Sequence, residues 1–354
     1  MKLLDRYIGV TVLQSVGVVM VVLLALFAFA TFAGELEKVG RGSYDALAAG
    51  IYSLLLMPRL AYQLFPIVVL IGSIIGLGMM ASNSELVVIR GAGVSLRRII
   101  WSVMRVGLLL MVSMVVVGEY VAPIAESKAQ SLKAEALQER VSFRSDTGLW
   151  ARDGNRFIHI QNLMSPHSVG RVSVYEFDDQ NRLTVMTKAR TAEFDDKGWT
   201  LNQLTQSQIS TKGVTTERKP QEHWDSLLEP EIMSVVTVKP DYLSFIGLYR
   251  YIGYLQENGL DAGRYQLALW RKIISPLVTL VMILVAVPFV FGSLRSTGIG
   301  QRIFVGTLVG IGFYMADQAL GQMGLVYGLP PALGVFVAPL AFLGGALYMI
   351  SRIR

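Results

Sequence analysis

Six basic residues offer the chemistry to follow first in this sequence. Lys38, Arg41, Arg59, Lys133, Arg271 and Lys272 come from four separate segments and stand at one common level, just beyond the same side of long apolar runs. Each alone is most simply a cation whose stem lies along apolar surface while its head reaches water. Together they make a ring of ammonium and guanidinium groups that suits the phosphates of an anionic lipid. Asp317, in Phe313-Tyr-Met-Ala-Asp-Gln-Ala-Leu320, is the one acid deep within an apolar run, with Gln318 beside it. Such an acid is a candidate for proton movement or for half of an aspartyl pair. No second acid at that depth offers itself as a partner, so a packing or gating hydrogen bond is the better reading.

Other chemistries find no support in the residues. An ATPase needs Gly-x-x-x-x-Gly-Lys-Ser/Thr, so that backbone amides and a lysine cradle the phosphates. The nearest stretch, Gly292-Ser-Leu-Arg-Ser-Thr-Gly-Ile-Gly300, lacks the lysine. His159, His167 and His223 have no metal-ligand spacing, and no Gly-x-Ser-x-Gly elbow occurs. Cysteine is absent, which rules out disulfides and thiolate metal sites. No metal and no cofactor is expected on this chain, and energy for any active process has to come from a partner.

A place for that partner can be read from residues 82–98, Ser-Asn-Ser-Glu-Leu-Val-Val-Ile-Arg-Gly-Ala-Gly-Val-Ser-Leu-Arg-Arg. Asn83 or Ser84 suits an N-cap, and Glu85 lies in the first turn, where the helix dipole favours an acid. Gly91 and Gly93 close a short helix, and Ser95 caps the next one. Leu86, Val87 and Ile89 give the short helix an apolar face beside Glu85 and Arg90. Apolar residues in so short a loop fit a surface helix that docks into a soluble partner.

Long apolar elements must position all of these residues. The chain has 354 residues, 53% of them hydrophobic and 16% charged, with a mean hydropathy of +0.48, which is the composition of an integral membrane protein. An almost uncharged run from Ile8 to Ala33 is about 26 residues, or ~39 Å of helix, enough to span a hydrocarbon core and too long for a signal peptide. Further spans are predicted at about 60–81, 99–121, 273–292, 303–324 and 332–350. Lys and Arg collect on one side of the short loops: Lys2, Arg6, Arg90, Arg97, Arg98, Arg105, Arg295, Arg302, Arg352 and Arg354, against Asp5 and Glu85. By the positive-inside tendency both termini are cytoplasmic. The segment from Pro123 to Arg264 is then outside, and with 17 basic and 19 acidic residues it is no nucleic-acid binder. It opens with helix formers at 125–140, continuous with the third span. Short β-type runs follow at 156–160, 169–177, 182–187 and 198–201, with turn signals at Asp153-Gly-Asn155, Asp178-Asp-Gln-Asn181 and Asp195-Asp-Lys-Gly198. Their spacing fits a sandwich or a jelly roll.

Four motifs go further. Leu4-Asp-Arg-Tyr-Ile-Gly9, Gly42-Ser-Tyr-Asp-Ala-Leu47, Ser84-Glu-Leu-Val-Val-Ile-Arg-Gly-Ala-Gly93 and Asp261-Ala-Gly-Arg-Tyr-Gln-Leu267 resemble the LptF/LptG family of lipopolysaccharide export permeases, nearly end to end. The resemblance implies a membrane α-helical protein of six transmembrane helices, 3+3, with an inserted periplasmic all-β jellyroll-like domain. It also implies a heterodimer with an LptF-like permease, two copies of the cytoplasmic ATPase LptB, the single-span LptC and the periplasmic bridge protein LptA. ATP and Mg would be used by that ATPase. Carried over by residue, Glu85 matches the acid of a coupling helix that meets the ATPase, and Leu86 to Arg90 match the rest of that helix. Lys38 and Lys133 match basic positions that contact lipopolysaccharide phosphates, and Phe65 matches an aromatic that lines the cavity. Thr31 and Gln130 depart from the pattern where basic residues can stand, while Arg271 adds a charge beside Lys272.

The expected organisation is residues 1–122 with three spans and a coupling helix at about 84–92, residues 123–264 as the β domain with flanking helices, and residues 265–354 with three more spans. The expected function is a non-catalytic permease subunit that moves lipid through an apolar cavity with a basic outer rim. Two rivals stand beside it: a proton-coupled secondary transporter working through Asp317, and a mechanotransmission or sensor protein whose β domain only binds partners.

Overall fold

A computed structural model of the chain describes residues 2–137, 149–165, 168–178, 180, 182–195, 198–210, 213–224, 240, 243–291 and 298–353. His167, Arg295 and Arg354, parts of the turns at 178–181 and 195–198, and most of the glycine-rich stretch 292–300 lie outside the described residues.

Helices α1 (Lys2–Glu35), α2 (Ala46–Leu55), α3 (Met57–Ser82) and α4 (Glu85–Gly91) open the chain. Helix α5 (Leu96–Val116) runs through a π-helical turn at Val117–Val121 into α6 (Ala122–Ala136). Pro123 accounts for the turn: it has no N–H for an α-type bond four residues back, and its ring would strike that carbonyl, so a wider turn there relieves both problems. After the β domain come α7 (Phe245–Glu257), α8 (Gly263–Phe291), α9 (Ile299–Val326) and α10 (Pro331–Ser351). Six of the helical stretches are long and apolar enough to cross a membrane, the six expected from the sequence. They overrun the expected limits because a helix that satisfies its own backbone groups gains nothing by stopping at the edge of the apolar layer.

The chain divides into two compact units. The first comprises Met1–Val39, Ala49–Ala129 and Gly263–Arg354, and holds the six long apolar helices found among the described residues, except that the third runs on to Lys133. Glycines let its helices meet closely: a Cβ at Gly72 of α3 would lie 2.6 Å from Val16 Cα of α1. One buried cluster joins Ile8, Val12 and Val16 to Val68, Leu77, Val103 and Ile283, and a second joins Leu70 and Ile74 to Val278, Met282, Phe313 and Val335.

The second unit, Gly40–Ala48 and Gln130–Ala262, contains the inserted β domain. Strands β1 (Leu149–Asp153), β2 (Arg156–Ser165), β3 (Ser168–Phe177), β4 (Leu183–Asp195), β5 (Gly198–Ser210) and β6 (Gly213–Trp224) pair antiparallel, each with its neighbour in the chain. The inserted all-β domain is thus present. Among the described residues its sheet is one open meander. The strands run longer than the sequence predicts because β4 and β5 continue past their apolar cores into polar residues that still pair. One face buries Ile158, Ile160, Val172, Val174, Trp199 and Leu204. Helix α7 is capped by Ser244, whose Oγ accepts from Gly247 N at 3.1 Å, and Tyr254 Oη donates to the Arg152 carbonyl of β1 at 2.8 Å.

Candidate functional site

Two groups of candidate residues can be placed, and the short helix α4 of the first unit carries one of them. Only Asn83 and Ser84 separate it from α3. Ser84 holds the left-handed backbone conformation, φ 61, and its carbonyl accepts from Val87 N and Val88 N, at 3.1 and 3.0 Å. The N-cap is therefore at the expected position, but the Ser84 hydroxyl does not cap the helix. Ser95 likewise begins α5 without a side-chain cap. At its far end α4 closes with Gly93 N donating to Arg90 O at 3.0 Å and Val94 N to Ile89 O at 3.3 Å, with Gly93 at φ 86.

The residues of α4 divide by direction. Leu86 is buried, and Ile89, three residues on, packs against the same core cluster. Val87 and Val88 are 47% and 69% exposed, and Arg90 is exposed on the same outward side. The expected apolar face of Leu86, Val87 and Ile89 is thus two faces: an anchor of Leu86 and Ile89, and an outward patch of Val87 joined by Val88, which the sequence reading left out. Glu85 is held in place by two donors, Tyr7 Oη at 2.9 Å and Asn83 Nδ2 at 3.3 Å. Tyr7 comes from α1, 78 residues away, and no local spacing announced it. The start of α1 is tied to α5 as well, since Ser102 Oγ donates to Asp5 Oδ1 at 2.6 Å, with Arg105 and Arg98 at 3.4 and 3.8 Å from Asp5 Oδ2.

The basic residues make the other group. Lys38 Nζ lies 3.0 Å from Glu35 Oε1, Arg59 Nε 3.6 Å from Glu126 Oε2, and Lys272 Nζ 3.0 Å from Glu119 Oε2. Arg271 Nη2 lies 3.5 Å from Asp317 Oδ2 and donates to the Asp317 carbonyl at 3.2 Å. These four cations and four acids all belong to the first unit, and each cation already faces a carboxylate. Arg41, exposed, and Lys133, half-buried, belong to the second. Asp317 therefore has a cation on α8, and Glu119 provides a second acid within a long apolar helix, where none was expected. Of the acids, only Glu35 was legible as a partner, three residues before Lys38. The Glu119, Glu126 and Asp317 pairings come from helices distant in sequence. The side chains of Gln318 and Thr31 are half-buried and that of Gln130 is exposed. Phe65 is 6% exposed and packs in the cluster with Val16, Val68 and Val103.

A phosphate group brings more charge than a carboxylate and three acceptor oxygens. At Lys38, Arg59, Arg271 or Lys272 it would have to displace or bridge to an acid already in place. An exchange of one anion for another at these pairs would keep each cation paired, and an unpaired cation in a low-dielectric layer is costly.

The sequence profile of the family described as "Lipopolysaccharide export system permease LptF/LptG" matches residues 6–352. The chain belongs to the LptF/LptG family. It is 39% identical over 352 residues to "Lipopolysaccharide export system permease protein LptG" of Escherichia coli strain K12, covering 99% of this chain and 98% of that protein. To the protein of the same name from Haemophilus influenzae it is 36% identical over 353 residues, covering 99% of each. The LptF/LptG match runs through both helical triplets and the β insertion, so one permease chain accounts for both units.

Proposed function

We propose that this chain is an LptG-type permease, the non-catalytic transmembrane subunit of an ABC transporter that extracts lipopolysaccharide from the bacterial inner membrane and passes it to a periplasmic bridge towards the outer membrane. In this reading it pairs with an LptF-like permease above two copies of the cytoplasmic ATPase LptB, with the single-span LptC alongside and the bridge protein LptA beyond. Both termini are cytoplasmic and the β domain is periplasmic, as the distribution of Lys and Arg supports. ATP and Mg belong to LptB, and this chain carries no cofactor.

The observation that carries the reading is α4. A seven-residue helix with a buried anchor, an outward patch of Val87, Val88 and Arg90, and an acid held by two donors is built to meet another protein. Hydrolysis in the partner would bias the bundle between two states of different lipid affinity. The paired ring would hand phosphates from one cation to the next.

Glu85→Arg is expected to detach or uncouple the ATPase while the spans still insert. Unchanged co-purification together with unchanged ATP hydrolysis would remove the coupling role. A photo-crosslinker at Lys38 or Thr31 is expected to capture lipopolysaccharide, and capture of phospholipid alone counts against that substrate. The proton-driven rival loses ground to the Arg271 partner of Asp317. Transport by the purified single chain across a pH gradient would revive it. For the sensor rival, the decisive measurement is mass spectrometry of the lipid that co-purifies: a specific anionic glycolipid supports a permease.

A further inference from the structure

Arg302 counts, in sequence, as one more positive charge at a cytoplasmic loop. In the fold it is 2% exposed, in the first turn of α9. Its Nη1 donates to the carbonyl of Gly78 and, at 3.0 Å, to Ser82 Oγ, both at the C-terminal end of α3. A cation is favoured at that end of a helix, and a guanidinium out of water has to keep its donors engaged, so the contact is costly to open. Gly78 makes the room: a Cβ there would lie 2.7 Å from Arg302 Nη1 and 3.0 Å from Arg302 Cδ.

Above Arg302 the same face of α9 carries Gly306 and Gly310, at successive four-residue steps. A Cβ at Gly306 would lie 2.9 Å from Ile74 Cδ1, and one at Gly310 would lie 3.0 Å from Ile67 Cγ2, both on α3. Glycines against isoleucines pack the helices closely without directional bonds, so among these contacts the directional hold of α9 on α3 comes from Arg302. Below it, α3 passes into α4 through two residues whose amides bond back into α3, Asn83 N to Met79 O at 3.0 Å and Ser84 N to Ala81 O at 3.1 Å. That joint is short and internally bonded.

We infer that Arg302 is a positioning residue for transport: it fastens the base of α9 to the end of α3, so that a displacement of α4 moves α9 as well as α3. The inference rests on the reading of α4 as the ATPase dock. It assigns to α9, through one buried side chain, a share in the response to ATP hydrolysis that no contact of α9 with the partner is needed to supply.

The test uses the full complex in proteoliposomes containing lipopolysaccharide, comparing Arg302→Met, Gly78→Ala and Glu85→Arg for assembly, ATP hydrolysis and lipid moved per ATP. Arg302→Met is expected to assemble and hydrolyse ATP while lipid moved per ATP falls by about tenfold, within the usual range of coupling between sites. Gly78→Ala keeps the charge but presses on Arg302 from Nη1 to Cδ, so its thermal stability is measured alongside, and a smaller loss in the same quantity is expected. The chain has no cysteine, so Ile74→Cys with Gly306→Cys, bridged by a short thiol crosslinker, can replace the lost fastening. Recovery of lipid movement in the bridged Arg302→Met chain supports transmission. A fall in thermal stability that bridging leaves without any gain in transport makes Arg302 a structural cap and overturns the inference. So does a wild-type yield per ATP in Gly78→Ala and Arg302→Met while Glu85→Arg is uncoupled. If Glu85→Arg itself is without effect, the docking reading fails, and this inference falls with it for that separate and visible reason.

Discussion

The ion pairs of Lys38, Arg59, Arg271 and Lys272 set opposite expectations for the two members of each pair. Lys272 is largely shielded and meets Glu119 at 3.0 Å. If Glu119 only stabilises the bundle, Glu119→Gln and Lys272→Gln weaken the protein alike. If it holds the place of a lipid phosphate, Glu119→Gln leaves a cation seeking an anion. Lipopolysaccharide should then be retained more tightly and released more slowly, while Lys272→Gln lowers retention. Lipid carried through purification, measured for both variants, separates the two cases, and equal losses would sink the place-holder role. Asp178 gives a second residue-scale expectation, in the β domain. Its carboxylate accepts from the amides of Arg182 and Gln180 and from Arg182 Nε, each at 2.9 Å. The backbone donor of Arg182 is the largest cause that holds its pKa below the ordinary carboxylate value. A depressed pKa in the folded state means a stabilisation present above the unfolded pKa and lost as pH falls through the folded one. Hydrogen exchange at Arg182, corrected for its intrinsic pH dependence, should therefore lose protection on acidification below the usual carboxylate range. In Asp178→Asn that dependence should vanish.

Individual elements were legible in unequal measure, and the inequality has a physical pattern. The six long helices announced themselves because an apolar run of that length has few other fates. The β domain was legible as a class from alternation and turn residues, but β5 and β6 were read short or not at all. β6, Gly213-Val-Thr-Thr-Glu-Arg-Lys-Pro-Gln-Glu-His-Trp224, is exposed along nearly all its length, so no apolar alternation marks it, and its register comes from pairing with β5. In α4, spacing gave the helix and its ends, but not which of Leu86, Val87 and Ile89 faces the bundle. That choice is made by α3 and α5, whose cluster receives Leu86 and Ile89. Tyr7 and Arg302 were invisible as site residues because their partners lie 78 and more than 200 positions away. An element-scale prediction follows from the anchor. Leu86→Ala removes a 3% exposed side chain, and a buried leucine truncation costs about 2–5 kcal/mol. Val88→Ala, 69% exposed, should cost the isolated chain almost nothing yet weaken the hold on the ATPase. Thermal unfolding of the purified chain beside pull-down of the partner checks both, and a Val88→Ala chain that binds as well as the parent would remove the outward patch from the dock.

At the scale of the whole molecule, the orientation in the membrane was argued from ten basic residues, and the fold alters what several of them can contribute. Arg302 is buried against α3, and Arg98 and Arg105 share Asp5, so part of the charge that was counted as free in the loops is internally engaged. Arg6, Arg90, Arg97 and Arg352 keep exposed side chains. In the orientation proposed above, with six spans among the described residues and three of them before the insertion, the α3–α4 link, the α4 patch and Arg352 after α10 are expected on the cytoplasmic side and the β sheet on the periplasmic side. The asymmetry is smaller than the raw count but keeps its sign, which is what sets topology. The absence of native cysteine makes this directly measurable. In intact cells with a permeable outer membrane, a single cysteine replacing Thr216 on β6 should react with a membrane-impermeant maleimide. Cysteines replacing Val88 or Arg352 should react only after the inner membrane is opened. Reaction of Val88→Cys from outside would invert the molecule, put α4 out of reach of any cytoplasmic ATPase, and leave the energy source of transport to be sought on the other face.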